Sequence, residues 1–347
     1  MAGVKHTCQN GSRLSCKRSP NIRTRSLQDL PSHGPKGDAS TNNFFCFGLG
    51  YCGKALAWRL ARKGWTTAGT CQTMEQVLRV QQTVNQTYQF DPVHGVFLCR
   101  DGFASLKYST HVLVTVPPLQ QTKKDGVLAH LADELVALTE SGNLKWLGYL
   151  STTGVYGDWG GAWVDEHCEP RPTTDKLAMR REAEIEWEEL SARSGLPLHI
   201  FRLGGLYGPG RSALDVVRQA GPASDSQRRR MRARHTARCH VADACAVLEA
   251  SMGAPAAPPP QVYNVVDDDP APRREVVAYA GRLLAGGGAA PARPIADGGA
   301  GEEAAGGGGG KRVSNRKIKE ALGVELRFPS YREGLAAIAS GCRDPFE

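Results

Sequence analysis

Residues 44–53 read Phe-Phe-Cys-Phe-Gly-Leu-Gly-Tyr-Cys-Gly, an apolar run that passes directly into G-x-G-x-x-G at Gly48, Gly50 and Gly53. A strand ending in this spacing must turn sharply at Gly48, leave the backbone bare at Gly50 for a pyrophosphate, and let the next helix lie close at Gly53. The N–H groups of that helix's first turn then face the anion. Residues 54–63 carry apolar side chains at helical spacing before Gly64 stops the pattern, so the glycines stand in a strand–loop–helix setting. Gly48, Leu49, Gly50, Tyr51, Cys52 and Gly53 are the expected dinucleotide-phosphate cradle, with a plain structural turn as the competing reading.

A chain of 347 residues, 41% of them hydrophobic, holds one large α/β domain or two moderate ones with a real core. No apolar run approaches the roughly 18 residues of a membrane span; the longest, 111–119, ends in prolines. Ten cysteines are scattered without a C-x-x-C pair or a zinc-like Cys/His cluster. That pattern argues for reduced, buried thiols, and against a disulfide framework or a metal site.

The formal charge of +8 suggests nucleic acid until it is divided along the chain. Residues 1–43 hold seven Lys/Arg against two Asp, leaving about +3 for the remainder. That leader is rich in Ser, Thr, Asn and Arg, poor in acids, and lacks the apolar centre of a secretory signal, so it reads as an organelle transit peptide. A disordered cytosolic tail is the alternative.

Further strands are expected at 65–70, 95–99, 111–116, 145–151 and 198–203, and helices at 125–140 and 176–194. Strands and helices alternate, as a doubly wound parallel sheet requires, with its ligand crevice at the carboxyl ends of the strands. Residues 44–200 make the dinucleotide-binding part, and 201–347 the remaining strands with a smaller C-terminal lobe. Residues 285–310 hold 11 Gly and 8 Ala in 26 positions, an expected flexible insertion. Six arginines lie between Arg228 and Arg238; a solvated loop, a phosphate contact and an RNA contact are the readings, in descending order.

Three more stretches bear on the family: Leu150-Ser151-Thr152-Thr153-Gly154-Val155-Tyr156-Gly157, Phe201-Arg202-Leu203-Gly204-Gly205-Leu206-Tyr207-Gly208-Pro209-Gly210, and Cys239-His240-Val241-Ala242-Asp243. With the glycine loop, their order and spacing make residues 44–338 resemble the extended or atypical short-chain dehydrogenase/reductase superfamily, in its NAD-dependent epimerase/dehydratase-like branch. The resemblance implies a Rossmann-type domain binding NAD or NADP and a C-terminal lobe for a small-molecule substrate.

The superfamily's chemistry uses a Ser/Thr and a Tyr-x-x-x-Lys pair, and here the resemblance fails in part. Thr152 stands where the Ser/Thr should be, but no tyrosine occurs between Tyr156 and Tyr207. The matching register reads Lys176-x-x-x-Arg180. Lys176 is a candidate proton donor or base and Arg180 a candidate ribose or anion contact, with two surface cations on a helix as the alternative. The resemblance disfavours a dehydratase, because Thr153 and Gly154 stand where an Asp-Glu pair would be. Asp165 and Glu166 read as a solvated acidic turn. Tyr156 and Tyr207 are expected as packing or substrate contacts, and His240 as a structural or substrate-lining histidine.

NAD sites place an acid about 20 residues beyond the first glycine, yet nothing acidic occurs from Lys54 through Met74. The expected cofactor is therefore NADP, with NAD as the alternative, and Thr70 and Gln72 are the expected neutral contacts. The resulting expectation is an NADP-binding oxidoreductase or epimerase-like protein of the chloroplast stroma, with mitochondrion or cytosol as alternatives and a homodimer compatible with the chain. Its rivals are a dinucleotide-binding regulator or assembly factor without catalysis and, from the arginine run alone, an RNA-associated relative.

Overall fold

Both faces of β1 (Asn43–Phe47) are apolar, so the strand can only sit inside a sheet covered on both sides. Phe44 and Cys46 enter one core layer and Phe45 and Phe47 the other. The computed structural model describes residues 42–81, 83–84, 86–219, 234–254, 258–286 and 310–346. The expected leader, most of the Gly/Ala-rich insertion and four of the six clustered arginines (228, 229, 230 and 232) lie outside these residues; Arg234 and Arg238 are described.

In chain order, β1 is followed by α1 (Tyr51–Arg62), β2 (Thr66–Cys71), α2 (Met74–Val80), β3 (Gln86–Gln89), α3 (Arg100–Lys107), β4 (His111–Val114), α4 (Leu128–Glu140) and β5 (Trp146–Thr152). Then come β6 (Trp163–Val164), α5 (Asp175–Ser194), β7 (Leu198–Leu203), β8 (Gly205–Tyr207), α6 (Ala213–Arg218), β9 (Arg238–His240), α7 (Val241–Gly253) and β10 (Gln261–Val265). The chain closes with α8 (Arg273–Leu284), β11 (Arg312–Val313), α9 (Arg316–Leu322) and α10 (Tyr331–Ala339).

Seven strands form one parallel sheet in the order β10-β7-β5-β4-β1-β2-β3. The strand order reverses between β1 and β4, and the loops leaving those two strands diverge there. That is where a doubly wound sheet opens its ligand crevice. Helices cover both faces: α1 and α7 lie over the layer holding Cys46 and Trp146, and α4 and α5 over the layer holding Phe47 and Tyr149. The smaller lobe gathers Tyr207, Leu214, Val276, Tyr279, Tyr331 and Leu335 from β8, α6, α8 and α10 into its own core.

One expected strand is displaced. Residues 95–99 form no strand; the third strand is Gln86–Gln89, at the sheet edge. Pro92 opens a single helical turn that closes at Gly95 in the left-handed region (φ 71°), and Phe97 is half exposed. The polar Gln-Thr-Tyr-Gln run suits an edge because only part of its surface is covered. The long helix after β4 begins at Leu128, not 125, because the Asp125 carboxylate accepts from the N–H groups of Val127 and Leu128 and ends the preceding loop.

The interior carries two histidines against one tryptophan. His111 lies opposite Trp146 in the β4–β5 register, with ring centroids 6.3 Å apart, and His199 on β7 lies 6.0 Å away on its other side. Burial, with a smaller contribution from nearby Lys145 and Lys317 respectively, lowers each imidazole from 6.5 to about 4. A histidine held neutral by folding stabilises the fold above its unfolded pKa, and that contribution is lost as pH falls from about 6.5 toward 4, since the unfolded chain binds protons the folded chain refuses. The unfolding free energy from urea titration should therefore fall between pH 7 and 4.5, by roughly 3 kcal/mol per histidine at most. His199→Phe, which keeps the ring stacking, should flatten that slope; an unchanged slope would exclude His199 as a source.

Candidate functional site

The loop between β1 and α1 is fixed by three contacts. Gly48 has φ 95°, its N–H donates to Thr70 Oγ1 at 3.1 Å, and its carbonyl accepts from Thr115 Oγ1 at 2.6 Å. Leu49 N–H donates to the Thr70 carbonyl at 2.7 Å. The three glycines do different work. A Cβ on Gly48 would meet Thr115 Oγ1 at 2.5 Å, and one on Gly53 would meet the Gly48 carbonyl oxygen at 2.5 Å and Cys46 Sγ at 2.8 Å. A Cβ on Gly50 would meet nothing within 4 Å. The open face of the loop is therefore at Gly50, which is also the N-cap of α1. No side chain caps that helix and its first turn holds no acid, so its N-terminal dipole is left for an external anion.

A cavity of about 630 Å³ lies in front of this loop. Its floor is Gly48 to Tyr51, with one wall made by the end of β2 and by α2 and the other by residues 115–121 after β4. Asp91 and Pro92, after β3, close the far end. This volume is in the range of small-molecule and cofactor sites.

A second cavity of about 570 Å³ lies in the smaller lobe, between α6, α8 and α10, with Tyr207, Arg211, Arg238 and Tyr331 in its wall. The two cavities meet through Tyr51. Its hydroxyl donates to the Pro209 carbonyl at 3.1 Å, and the Arg211 guanidinium lies 5.4 Å from its ring centroid.

At the end of β5, Thr152 Oγ1 accepts from Gly154 N–H at 3.1 Å, which leaves the hydroxyl proton free to be donated elsewhere. Lys176, on the first turn of α5, is exposed. The side chain that α5 presents to this corner is Leu177: its Cδ2 and Thr152 Oγ1 lie 2.6 and 3.3 Å from the same point, the place of a Cβ on Gly154.

No protein-family model matches the sequence, and no curated protein does. Solved structures do. A functionally unknown conserved protein from Silicibacter pomeroyi DSS is 34% identical, with a TM-score of 0.66 over 86% of this chain and 99% of that one. MoeE5, solved with UDP-glucuronic acid and NAD, is 20% identical, with a TM-score of 0.63 over 85% and 97%. UDP-glucuronic acid 4-epimerase from Bacillus cereus is 14% identical, with a TM-score of 0.62 over 86% and 98%. The first likeness joins the chain to a relative; the other two show that it has the Rossmann-type fold of the epimerase/dehydratase-like short-chain dehydrogenase/reductase family that its sequence resembles.

Against the pattern of that family, the structure redistributes the expected catalytic residues. Lys176 is exposed, and Leu177 is the α5 side chain that reaches the corner holding Thr152. Arg180 turns onto the sheet, donating from Nη1 to the Leu150 carbonyl at 3.0 Å and to Tyr149 Oη at 3.3 Å. Tyr156 is fully buried: it donates to Asn264 Oδ1 at 2.9 Å and accepts from Arg202 Nη1 at 2.9 Å, so it is not a substrate contact. Arg202 in turn pairs with buried Glu184 at 2.8 Å. His240 is also fully buried; its Nδ1 accepts from Ala242 N–H and caps α7, and burial lowers it to about 4, so it touches no substrate. Tyr207 donates to the Ser330 carbonyl yet still lines the second cavity.

Other expectations shift as well. The Thr70 hydroxyl is buried and holds Gly48, so it positions the loop; Gln72 is exposed at the cavity rim. Cys52 and Leu49 face the core. Glu166 is no solvated turn: it accepts from Asn264 N–H at 2.7 Å along the free edge of β10. Arg238 is buried, donating to the carbonyls of Asp269 and Ala271, and is no part of a solvated basic loop.

Sequence reasoning missed Lys54, Gln76, Arg79 and Asp91, all of which line the first cavity. The signal for two of them was present: Thr73 and Gln76 form a capping box, which fixes the start of α2 and puts 76, 79 and 80 on one face. Gly53→Ala should cost about 1–3 kcal/mol by overpacking. Gly50→Asp should leave the melting temperature unchanged or raised, because Asp is a favourable N-cap. Equal destabilisation by both would show that Gly50 is as tightly packed as Gly53.

Proposed function

We propose that the first cavity binds NADP(H), with the pyrophosphate at Gly50 and the N-terminus of α1, and that the protein is an NADP(H)-dependent oxidoreductase or epimerase-like protein. The observation that carries this reading is the pairing of an uncapped helix N-terminus with open space at Gly50, inside a loop where the other two glycines are sterically required. A bound nicotinamide supplies hydride transfer. For this chain's own residues, the Thr152 hydroxyl is the group at the carboxyl end of β5 that can donate to a substrate oxygen, and Arg180 stiffens that strand end through the Leu150 carbonyl. The second cavity suits a small anionic substrate, with Tyr207 and Arg211 in its wall and Tyr51 joining it to the cofactor loop. The acid-poor, Ser/Arg-rich leader suits a chloroplast address.

A second reading is favoured by Leu177. The side chain that α5 places beside Thr152 is apolar and Lys176, the expected partner, is exposed, which suits a protein that binds the dinucleotide and signals its presence without turnover.

Calorimetric titration of the full chain with NADPH and NADH tests the shared premise. Binding should weaken at least about a hundredfold in Gly50→Asp, which places a carboxylate where the pyrophosphate sits. Failure of both cofactors to bind folded wild-type protein would remove both readings. If NADPH binds, hydride exchange with a panel of carbonyl substrates separates them, and its loss in Thr152→Val supports the enzyme.

A further inference from the structure

The end of β2 lacks the acid that would hold a ribose diol, but the cavity wall there is not neutral. Lys54 lies on the first turn of α1 and lines the cavity together with Gly50, Tyr51, Cys71 and Gln72. It is half-buried and ion-pairs with no carboxylate among the described residues. Its ammonium is near enough to Cys71 to pull that thiol's pKa down, although burial pushes it up by more. An ammonium in the cavity lining without a carboxylate partner is available to an anionic ligand.

Arg79, on α2, supplies a second cation to the lining of the same cavity. Gln76, Arg79 and Val80 line the cavity from one face of α2. Arg79's ion pair is with Glu75 at 2.6 Å, where both side chains are at least 70% exposed. Such a pair is worth little and is readily exchanged. The cavity's own carboxylate, Asp91, lies after β3 with its Oδ2 2.6 Å from His94 Nδ1.

We propose that Lys54 and Arg79 form a phosphomonoester subsite that recognises the 2′-phosphate of the adenosine ribose and so sets the preference for NADP(H) over NAD(H). The proposal rests on the cofactor reading above and adds the residues that decide between the two cofactors. A 2′-phosphate carries nearly two negative charges close to where the second strand ends. Two cations from α1 and α2, with Gln72 and Gln76 as neutral donors in the same lining, match that charge. An unphosphorylated ribose would leave Lys54 without an anionic partner.

The test is calorimetric titration of wild type, Lys54→Met and Arg79→Met with NADPH and NADH, with melting temperatures as the folding control. Each substitution should weaken NADPH roughly 10- to 100-fold while changing NADH by less than about threefold, the loss of one charge-assisted contact. If NADPH and NADH weaken equally, Lys54 serves the pyrophosphate and the proposal falls. Unchanged affinities overturn it too. Wild-type protein that binds NADH and not NADPH overturns this inference and the choice of NADP(H) while leaving the dinucleotide site standing, and one that binds neither takes the whole cofactor reading with it. A measurement on the unmutated chain guards against misfolded variants: adenosine 2′,5′-bisphosphate should bind at least about tenfold tighter than 5′-AMP, and equal binding refutes the subsite.

Discussion

Everything at the crevice hangs on the backbone of Gly48. At the point where the strand order reverses, its N–H is held by Thr70 from β2 and its carbonyl by Thr115 from the loop after β4. A single residue thus ties together the two halves of the sheet that diverge there. Buried between them, with φ at 95°, Gly48 admits no side chain. The hydroxyls of two threonines therefore do structural work that frees the next residues, Gly50 and Tyr51, to face the cavity. Chemistry at the mouth depends on strain and hydrogen bonding one residue deeper.

The same exchange of chemistry for structure recurs around β5. Tyr156, Arg202, Glu184 and Asn264 are polar groups of the kind that line sites, yet they hydrogen-bond to one another in the interior. A buried carboxylate such as Glu184 is tolerated because Arg202 and Arg181 both reach it, at 2.8 and 3.0 Å. This network locks α5 onto β5 and β7 and fixes the helix rotation. Given that rotation, Leu177 faces Thr152 and Lys176 faces water.

The fold was legible because each local signal agreed with the others: a doubly apolar β1, a glycine loop, and strands alternating with helices. The third strand was misplaced because Gln86–Gln89 is an edge strand, and edge strands need not be hydrophobic. At the site, the roles of the three glycines were readable from spacing alone, since that spacing is a statement about backbone geometry. The roles of Tyr156, His240 and Arg238 were not, because whether a polar side chain meets ligand or protein depends on partners 30 to 110 residues away, such as Asn264 for Tyr156. Lys54 and Arg79 escaped for the opposite reason: on a helix of mixed charge a cation looks solvated, and only the fold shows two helices converging on one cavity.

Tyr51 deserves its place in this scheme because it occupies a loop position where a smaller residue would satisfy the glycine spacing equally well. Its size spans the gap between the phosphate cradle and the smaller lobe, reaching the Pro209 carbonyl, with Gly208 kept bare because a Cβ there would stand 2.5 Å from the tyrosine hydroxyl. Arg211, four residues before the centre of α6, lies over the same ring. Gly210 and Arg211, in the same loop, line the second cavity. The physical link between the two cavities is one aromatic ring and the loop packed on it, so Tyr51 fixes the position of the phosphate cradle relative to the wall that carries Arg211.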